Sequence, residues 1–347
     1  MTANRPLIRR LRSTLFMGLL ALTPLSVQAE TARERWHADI GQGYLALQES
    51  SSRLADAASA YCETPNGPVR ERVEALWREA FLNWQRIRFV NFGPIEQNSR
   101  AWQFQFWPDP KNLVANKVRY WLNSDSPLTA QTLASAGVAV QGFPALEYLL
   151  TDSTFTQSGQ SLPLTRTCEL LTAITTYVHA NARQVASDWQ ALKPHYLATE
   201  DYTDTTIRAA LSTLEVLRDR RLGGPMGLRG NDKRNPYQAD AWRSQTSLAT
   251  LAATTEGLES LFVPGLKLEL EAAGQTQLGS PLDARMAAVQ ANFDTLPDAM
   301  APLLEDNNRF RELQALYIDL VQLEQIMNEE IASALGVVQG FNASDGD

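Results

Sequence analysis

Histidine is scarce in this 347-residue chain: only His37, His179 and His195 are present, and no two stand three or four residues apart. The absence of a His-Glu-x-x-His run excludes the zinc-peptidase apparatus built on that motif. None of the three sits in a recognisable nucleophile context, so no Ser/His/Asp arrangement can be inferred. Glu34-Arg-Trp-His37 spells Glu-x-x-His once; a di-iron bundle needs it twice with two further inward glutamates, so it reads as chance. Cysteine is scarcer still, with Cys62 and Cys168 alone and no metal-ligand spacing near either. Alternation of period two is almost missing, which excludes a sheet protein. No segment of the mature chain is apolar enough to be a membrane helix. The Gly-rich stretch 223–230 lacks Gly-Lys-Ser/Thr, which leaves a phosphate-binding loop unsupported.

What is present begins with an export signal. Arg5, Arg9, Arg10 and Arg12 precede a short apolar core at 15–22, and Val27-Gln28-Ala29 supplies the −3 and −1 residues of a cleavage site. Residues 1–29 therefore read as a signal peptide cut after Ala29, and the product as a periplasmic or secreted protein without a transmembrane segment. Four arginines and no acids leave with that peptide, which carries the formal charge from −8 to −12. Such a surface argues against nucleic acid and anionic membranes as partners and tolerates cations. In an oxidising compartment an even pair of cysteines predicts a Cys62–Cys168 disulfide, with two buried thiols as the alternative.

Nearly every long segment has helical period, so the fold class is all-α. The second helix, 68–89, is the clearest: Val73, Leu76, Trp77, Ala80, Phe81, Trp84 and Ile87 follow one face. Other helices are expected near 31–61, 111–123, 130–151, 163–192, 203–221, 243–262, 282–304 and 307–338. Residues 91–110 form a loop dense in Phe, Trp and Pro, either a functional lid or a plain cover over helix ends. The polar stretch 152–162 marks a boundary between an N-terminal bundle, 30–155, and a C-terminal bundle, 156–347. A faint echo between Ala145-Leu-Glu-Tyr-Leu-Leu150 and Gly257-Leu-Glu-Ser-Leu-Phe262 raises the question of an internal duplication.

Gln141-Gly-Phe-Pro-Ala-Leu-Glu147-Tyr-Leu-Leu150 is the most distinctive run. Pro144 predicts a kink or a helix start, and Glu147 falls at about 100° from Leu146, on the border of the apolar stripe. This segment resembles the Gly-x-His-x-x-Glu signature of the imelysin family, with Gly142 and Glu147 at its ends. It departs from that signature in having no histidine, one extra residue of spacing, and Pro144 at the usual His position. Further blocks in the same order carry the resemblance along nearly the whole mature chain. They are the Trp/Phe-Gly-Pro stretch 77–94, Trp107-Pro-Asp109, Trp242-Arg-Ser-Gln-Thr-Ser-Leu248 with Gly257-Leu-Glu259, and the closing Gly340-Phe-Asn-Ala-Ser-Asp-Gly-Asp347. The resemblance implies a bacterial envelope protein of two packed up-and-down helical bundles, linked to iron regulation and sometimes classed as a metallopeptidase.

Acids also fall on apolar faces. Glu324 lies at about 20° from Leu313 amid Leu316, Leu320 and Met327, and Glu259 at about 20° from Leu248. A buried charge needs a partner, because desolvation costs several kcal/mol. Arg88 at the border of the second helix and Arg243 are the candidate cations. The basic cluster Arg218, Arg220, Arg221, Arg229, Lys233 and Arg234 reads as a solvated loop or an anion site. Two readings stay open: structural Arg–Glu pairs, or a pocket between the bundles built from Gly142, Glu147, Glu259, Glu324, Arg88 and Arg243 and covered by Trp107 and Asp109. Glu147 is the candidate metal ligand, and an all-oxygen site favours a hard cation such as ferric iron or calcium. The expected function is a non-enzymatic binding or accessory protein for iron uptake or homeostasis. A metallopeptidase and a scaffold for another envelope protein are the alternatives.

Overall fold

The computed structural model describes residues 1–2, 29–156, 165–230 and 233–337. The signal-peptide reading, most of the polar stretch after Asp152, and the closing block from Gly340 lie outside them. Among the described residues there is no strand, and ten α-helices have nine residues or more. We number these α1 (Ala32–Glu63), α2 (Gly67–Ile87), α3 (Leu113–Asn123), α4 (Phe143–Thr151), α5 (Thr165–Ala198), α6 (Asp201–Glu215), α7 (Ser247–Gly257), α8 (Val263–Ala272), α9 (Gly279–Thr295) and α10 (Phe310–Gln325).

α1 is the axle. It packs along both α2 and α5, and α8 lies against it as well. Thr31 starts it with a capping box that engages Glu34. The Glu-x-x-His spelling is thus structural on both sides. Glu34 serves the cap, while His37 is buried against Trp189, the ring N–H of each donating to the other's backbone carbonyl at 3.0 Å. Trp36 donates to the carbonyl of Phe262 at 2.7 Å and stacks on its ring. Cys62 at the end of α1 is bonded to Cys168 at the start of α5, as expected. A closed loop of this length stabilises by up to about 4.7 kcal/mol in the chain-entropy account. Residues from Thr31 onward hold together as one unit, and α1 joins chain stretches on either side of the 152–162 segment.

Three helices end in π-helical turns: Val216–Gly223 after α6, Leu258–Phe262 between α7 and α8, and Ile326–Ala332 after α10. Each adds a residue to the turn and rotates the downstream residues relative to an ideal projection. Glu259 is corrected for another reason: no residue of 246–258 is exposed on any side, so the projected angle does not decide burial in this helix, and Glu259 and Ser260 are exposed together. Both lie on the second π turn, while Phe262 at the end of that turn is buried. The expected 130–151 helix is also interrupted, because Gly137 takes a left-handed φ of 88° and Pro144 opens α4 anew.

Two glycines permit close helix crossings. A Cβ on Gly257 would sit 1.9 Å from the carbonyl oxygen of Arg86, and one on Gly142 would sit 2.2 Å from that of Phe104. Gly142 is therefore a contact between α4 and the 100–104 turn, and it does not line the cleft that holds Glu147. Both obstacles are backbone, which cannot swing aside. Gly257→Ala and Gly142→Ala should each destabilise the fold by about 3 kcal/mol or more, measured by denaturant unfolding. A loss under about 0.5 kcal/mol, the usual surface range, would show that the crossings are loose.

Candidate functional site

The described residues bring Glu147, Trp107, Asp109 and Arg243 together in one cleft of about 540 Å³. α4 delivers Glu147, which is buried although it stands at the border of the apolar stripe. The 105–112 segment forms one wall and the 235–243 segment the facing one. Gly142 sets α4 hard against the 100–104 turn, and Trp77 of α2 donates its indole N–H to the carbonyl of Phe143 at 3.1 Å. The start of α4, and with it Glu147, is fixed from two directions.

The Glu147 carboxylate is received by Ser244. Its Oε1 accepts the Ser244 backbone N–H and hydroxyl, both at 2.8 Å. Its Oε2 carries no hydrogen bond among the described residues. Burial pushes the Glu147 carboxyl above the usual 4.5; the Ser244 bonds and the Arg243 charge pull the other way, and Asp240 adds to the rise. Arg243 lies over the rings of Trp242 and Tyr148, 4.3 and 5.2 Å from their centroids. It donates to Asn112 at 2.8 Å and stands 3.5 Å from Asp152. Cation–π contact and a nearby carboxylate hold the guanidinium in place while leaving it on the cleft wall.

Asp109 also lines the cleft, but its two oxygens accept the backbone N–H groups of Leu113 and Val114 at 2.6 and 2.9 Å. It serves first as the N-terminal anchor of α3. Trp107 is half-buried and forms part of the same wall.

Three sequence-derived candidates lie elsewhere. Glu259 is exposed, together with Ser260 next to it. Glu324 is buried as expected, yet its partners are Arg218 and Asn328, and it does not line the cleft. Burial raises its pKa, and Arg218 opposes the rise. Arg88 sits behind the cleft, 3.8 Å from Asp240 and hydrogen-bonded to Gln85 and Gln105 at 3.0 and 3.2 Å. Burial and the neighbouring Arg221 charge lower its pKa to about 9, against the pull of Asp240.

Sequence reasoning does not find Asp240 and Arg221 as a pair. The Arg221 guanidinium donates to Asp240 through Nε and Nη2 at 3.1 and 2.8 Å, and also to Gln85 and Thr254. The basic cluster is thus no single solvated loop: Arg221 is wholly buried, and Arg218 and Arg229 both bind Asp219. The one sequence signal for Asp240 is its position just before the Trp242-Arg-Ser block.

The donor set does not fit a bare metal ion. Among the described residues no group of three or more His, Cys, Asp or Glu could hold one. Ser244 takes Oε1 of Glu147, and none of the three histidines lines the cleft. What the arrangement can do is bind: it presents a desolvated carboxylate, a caged guanidinium and aromatic walls to one space.

The raised pKa of Glu147 has a consequence for stability. Between the unfolded value near 4.5 and the higher folded value, the native state holds more protons than the unfolded state, so stability falls as pH rises through that window. Glu147→Gln keeps an acceptor for Ser244 and removes the charge. Its unfolding free energy should fall less than that of the wild type between pH 4.5 and 7, in parallel denaturant titrations. Identical slopes would show that Glu147 is not desolvated.

The sequence model of the imelysin family (Peptidase_M75) matches residues 40–327. No curated protein matches the chain. Among solved structures, an imelysin-like protein from Psychrobacter arcticum 273-4 is similar with a TM-score of 0.77 and 20% identity, covering 91% of this chain and 100% of that one. An iron-regulated protein A precursor from Parabacteroides distasonis ATCC 8503 is similar with a TM-score of 0.65 and 12% identity, covering 89% and 97%. Among the described residues no helix is long and apolar enough to cross a membrane. With the family model spanning most of its length and the all-helical fold shared, this chain belongs to the imelysin family.

Proposed function

We propose that this imelysin-family protein is a non-enzymatic binding or accessory protein of the periplasm, exported by residues 1–29 and related to iron uptake or homeostasis. Its ligand occupies the cleft of Glu147, Trp107, Asp109 and Arg243, walled by residues of both halves, 30–155 and 156–347. One observation carries this reading: the buried Glu147 carboxylate keeps an Oε2 with no hydrogen bond among the described residues, on a cleft where no group of three or more described His, Cys, Asp or Glu could hold a metal ion by itself. Such a carboxylate contributes one oxygen to a cation that arrives with most of its coordination filled, a ferric chelate rather than a bare ion. The iron-regulated name of the Parabacteroides relative supports the cargo. A carboxylate whose charge burial makes costly gains most when a cation arrives.

Thermal unfolding of the mature protein with ferric citrate, citrate alone and calcium chloride tests this. Ferric citrate at saturating concentration should raise the Tm by about 5 °C, and Glu147→Gln should lose at least half of the shift. No shift with ferric citrate, together with no iron in protein isolated from unchelated periplasm, would remove the iron role. Chelator-sensitive cleavage of an unfolded protein substrate that disappears in Glu147→Gln would establish the metallopeptidase reading instead.

A further inference from the structure

Behind the Gln105–Trp107 wall lies a second, smaller cleft of about 250 Å³ whose character is opposite to the first. Its two titratable lining residues are both arginines, Arg88 and Arg221. They share one carboxylate, Asp240, so the floor holds two guanidinium charges against one acid. Arg221 is saturated: all three of its nitrogens donate to protein acceptors, and it is almost wholly excluded from solvent. Arg88 is not. Only its Nη1 donates, to Gln85 and Gln105, leaving Nε and Nη2 without an acceptor among the described residues. One edge of a planar fork therefore faces the cleft, and that edge matches the two oxygens of a carboxylate.

The remaining walls add a second requirement. Trp84, Trp102 and Trp107 line the space, and Trp102 is 45% exposed at its mouth. Trp102 meets the Phe106 ring at 5.9 Å and keeps part of its own indole exposed beside the cleft, where a planar group can stack. Ser212 and Asn91 also line the cleft and make no side-chain hydrogen bond among the described residues. The volume sets the scale, since an apolar cavity of about 150 Å³ admits benzene. A single ring bearing one carboxylate is of the size this space takes up.

We propose that this cleft is a second ligand site, specific for a small aromatic monocarboxylate whose carboxylate pairs with the free edge of Arg88 and whose ring stacks on Trp102 and Trp107. Ser212 and Asn91 select polar substituents on that ring. The site is independent of the Glu147 cleft in its chemistry: it takes an anion where the other presents an acid.

Isothermal titration of the full mature protein with benzoate, benzamide, cyclohexanecarboxylate and inorganic phosphate tests this. Benzoate should bind, benzamide about tenfold or more weakly because it lacks the charge, and cyclohexanecarboxylate about threefold or more weakly because it cannot stack. Trp102→Ala should weaken benzoate about threefold or more while leaving the Tm unchanged, since this side chain contributes little to the core. Arg88→Lys should weaken it about tenfold through loss of the fork. If that variant unfolds, the Trp102 variant and the benzoate–benzamide pair decide the matter alone. Glu147→Gln should leave benzoate affinity unchanged, which separates failure of this site from failure of the ferric-chelate site. Equal affinity for benzoate and benzamide, phosphate binding as tight as benzoate, or no benzoate binding at millimolar concentration would each overturn the proposal.

Discussion

Arg221 and Asp240 are almost wholly withdrawn from water, and neither charge survives in the interior without the other. Removing two ions from solvent costs several kcal/mol apiece, and the pair breaks even only when its remaining donors and acceptors are met. They are met here by Gln85 from α2, by Thr254 from α7 and by Gln105 from the aromatic segment. Separate stretches of chain are thereby pinned to one point. The 235–243 wall contains Asp240, and Ser244 continues that wall to the Glu147 carboxylate. The placement of the Glu147 cleft wall thus depends on a charge pair that makes no direct contact with Glu147.

The helical framework is legible in the sequence because its apolar stripes are long and regular. α2, with Trp77, Phe81 and Trp84 on one face, reads almost to its ends, and so do α1 and α3. The errors fall where the angle around a helix stops deciding burial. A projection at 100° per residue turns Glu259 inward, but no residue of 246–258 is exposed on any side, so the angle carries no information there, and Glu259 is exposed together with Ser260. Helical period reports which residues share a face and not where along the helix its cover ends.

For the site, local pattern reaches the residues and misses the partners. Glu147 and Glu324 read as acids near or on an apolar face, and both are buried. Their partners are Ser244, 97 residues away, and Arg218, 106 residues away. Helical periodicity reports only which neighbours share a face, so it cannot tell a carboxylate held by a serine from one held by arginine. Asp240 and Gln105 are invisible for a related reason. They lie on irregular segments where no period exists, and their burial follows entirely from contacts distant in sequence.

Gln105 explains how two clefts of opposite character stand back to back. Its Oε1 accepts from Trp84, Gln85 and Arg88, all within 3.2 Å, and its Nε2 points at Asp240. The reverse orientation would set an NH₂ against three donors and a carbonyl against a carboxylate, so the amide is locked. A locked amide is a fixed dipole. Its oxygen partly offsets the cationic side at Arg88, and its nitrogen partly offsets the acidic side at Asp240. On the other side of it, Glu147 feels burial and the Asp240 charge, which raise its pKa, against Ser244 and Arg243, which lower it. A neutral side chain that touches neither Ser244 nor Glu147 thus orients the carboxylate, Asp240, whose charge reaches Glu147.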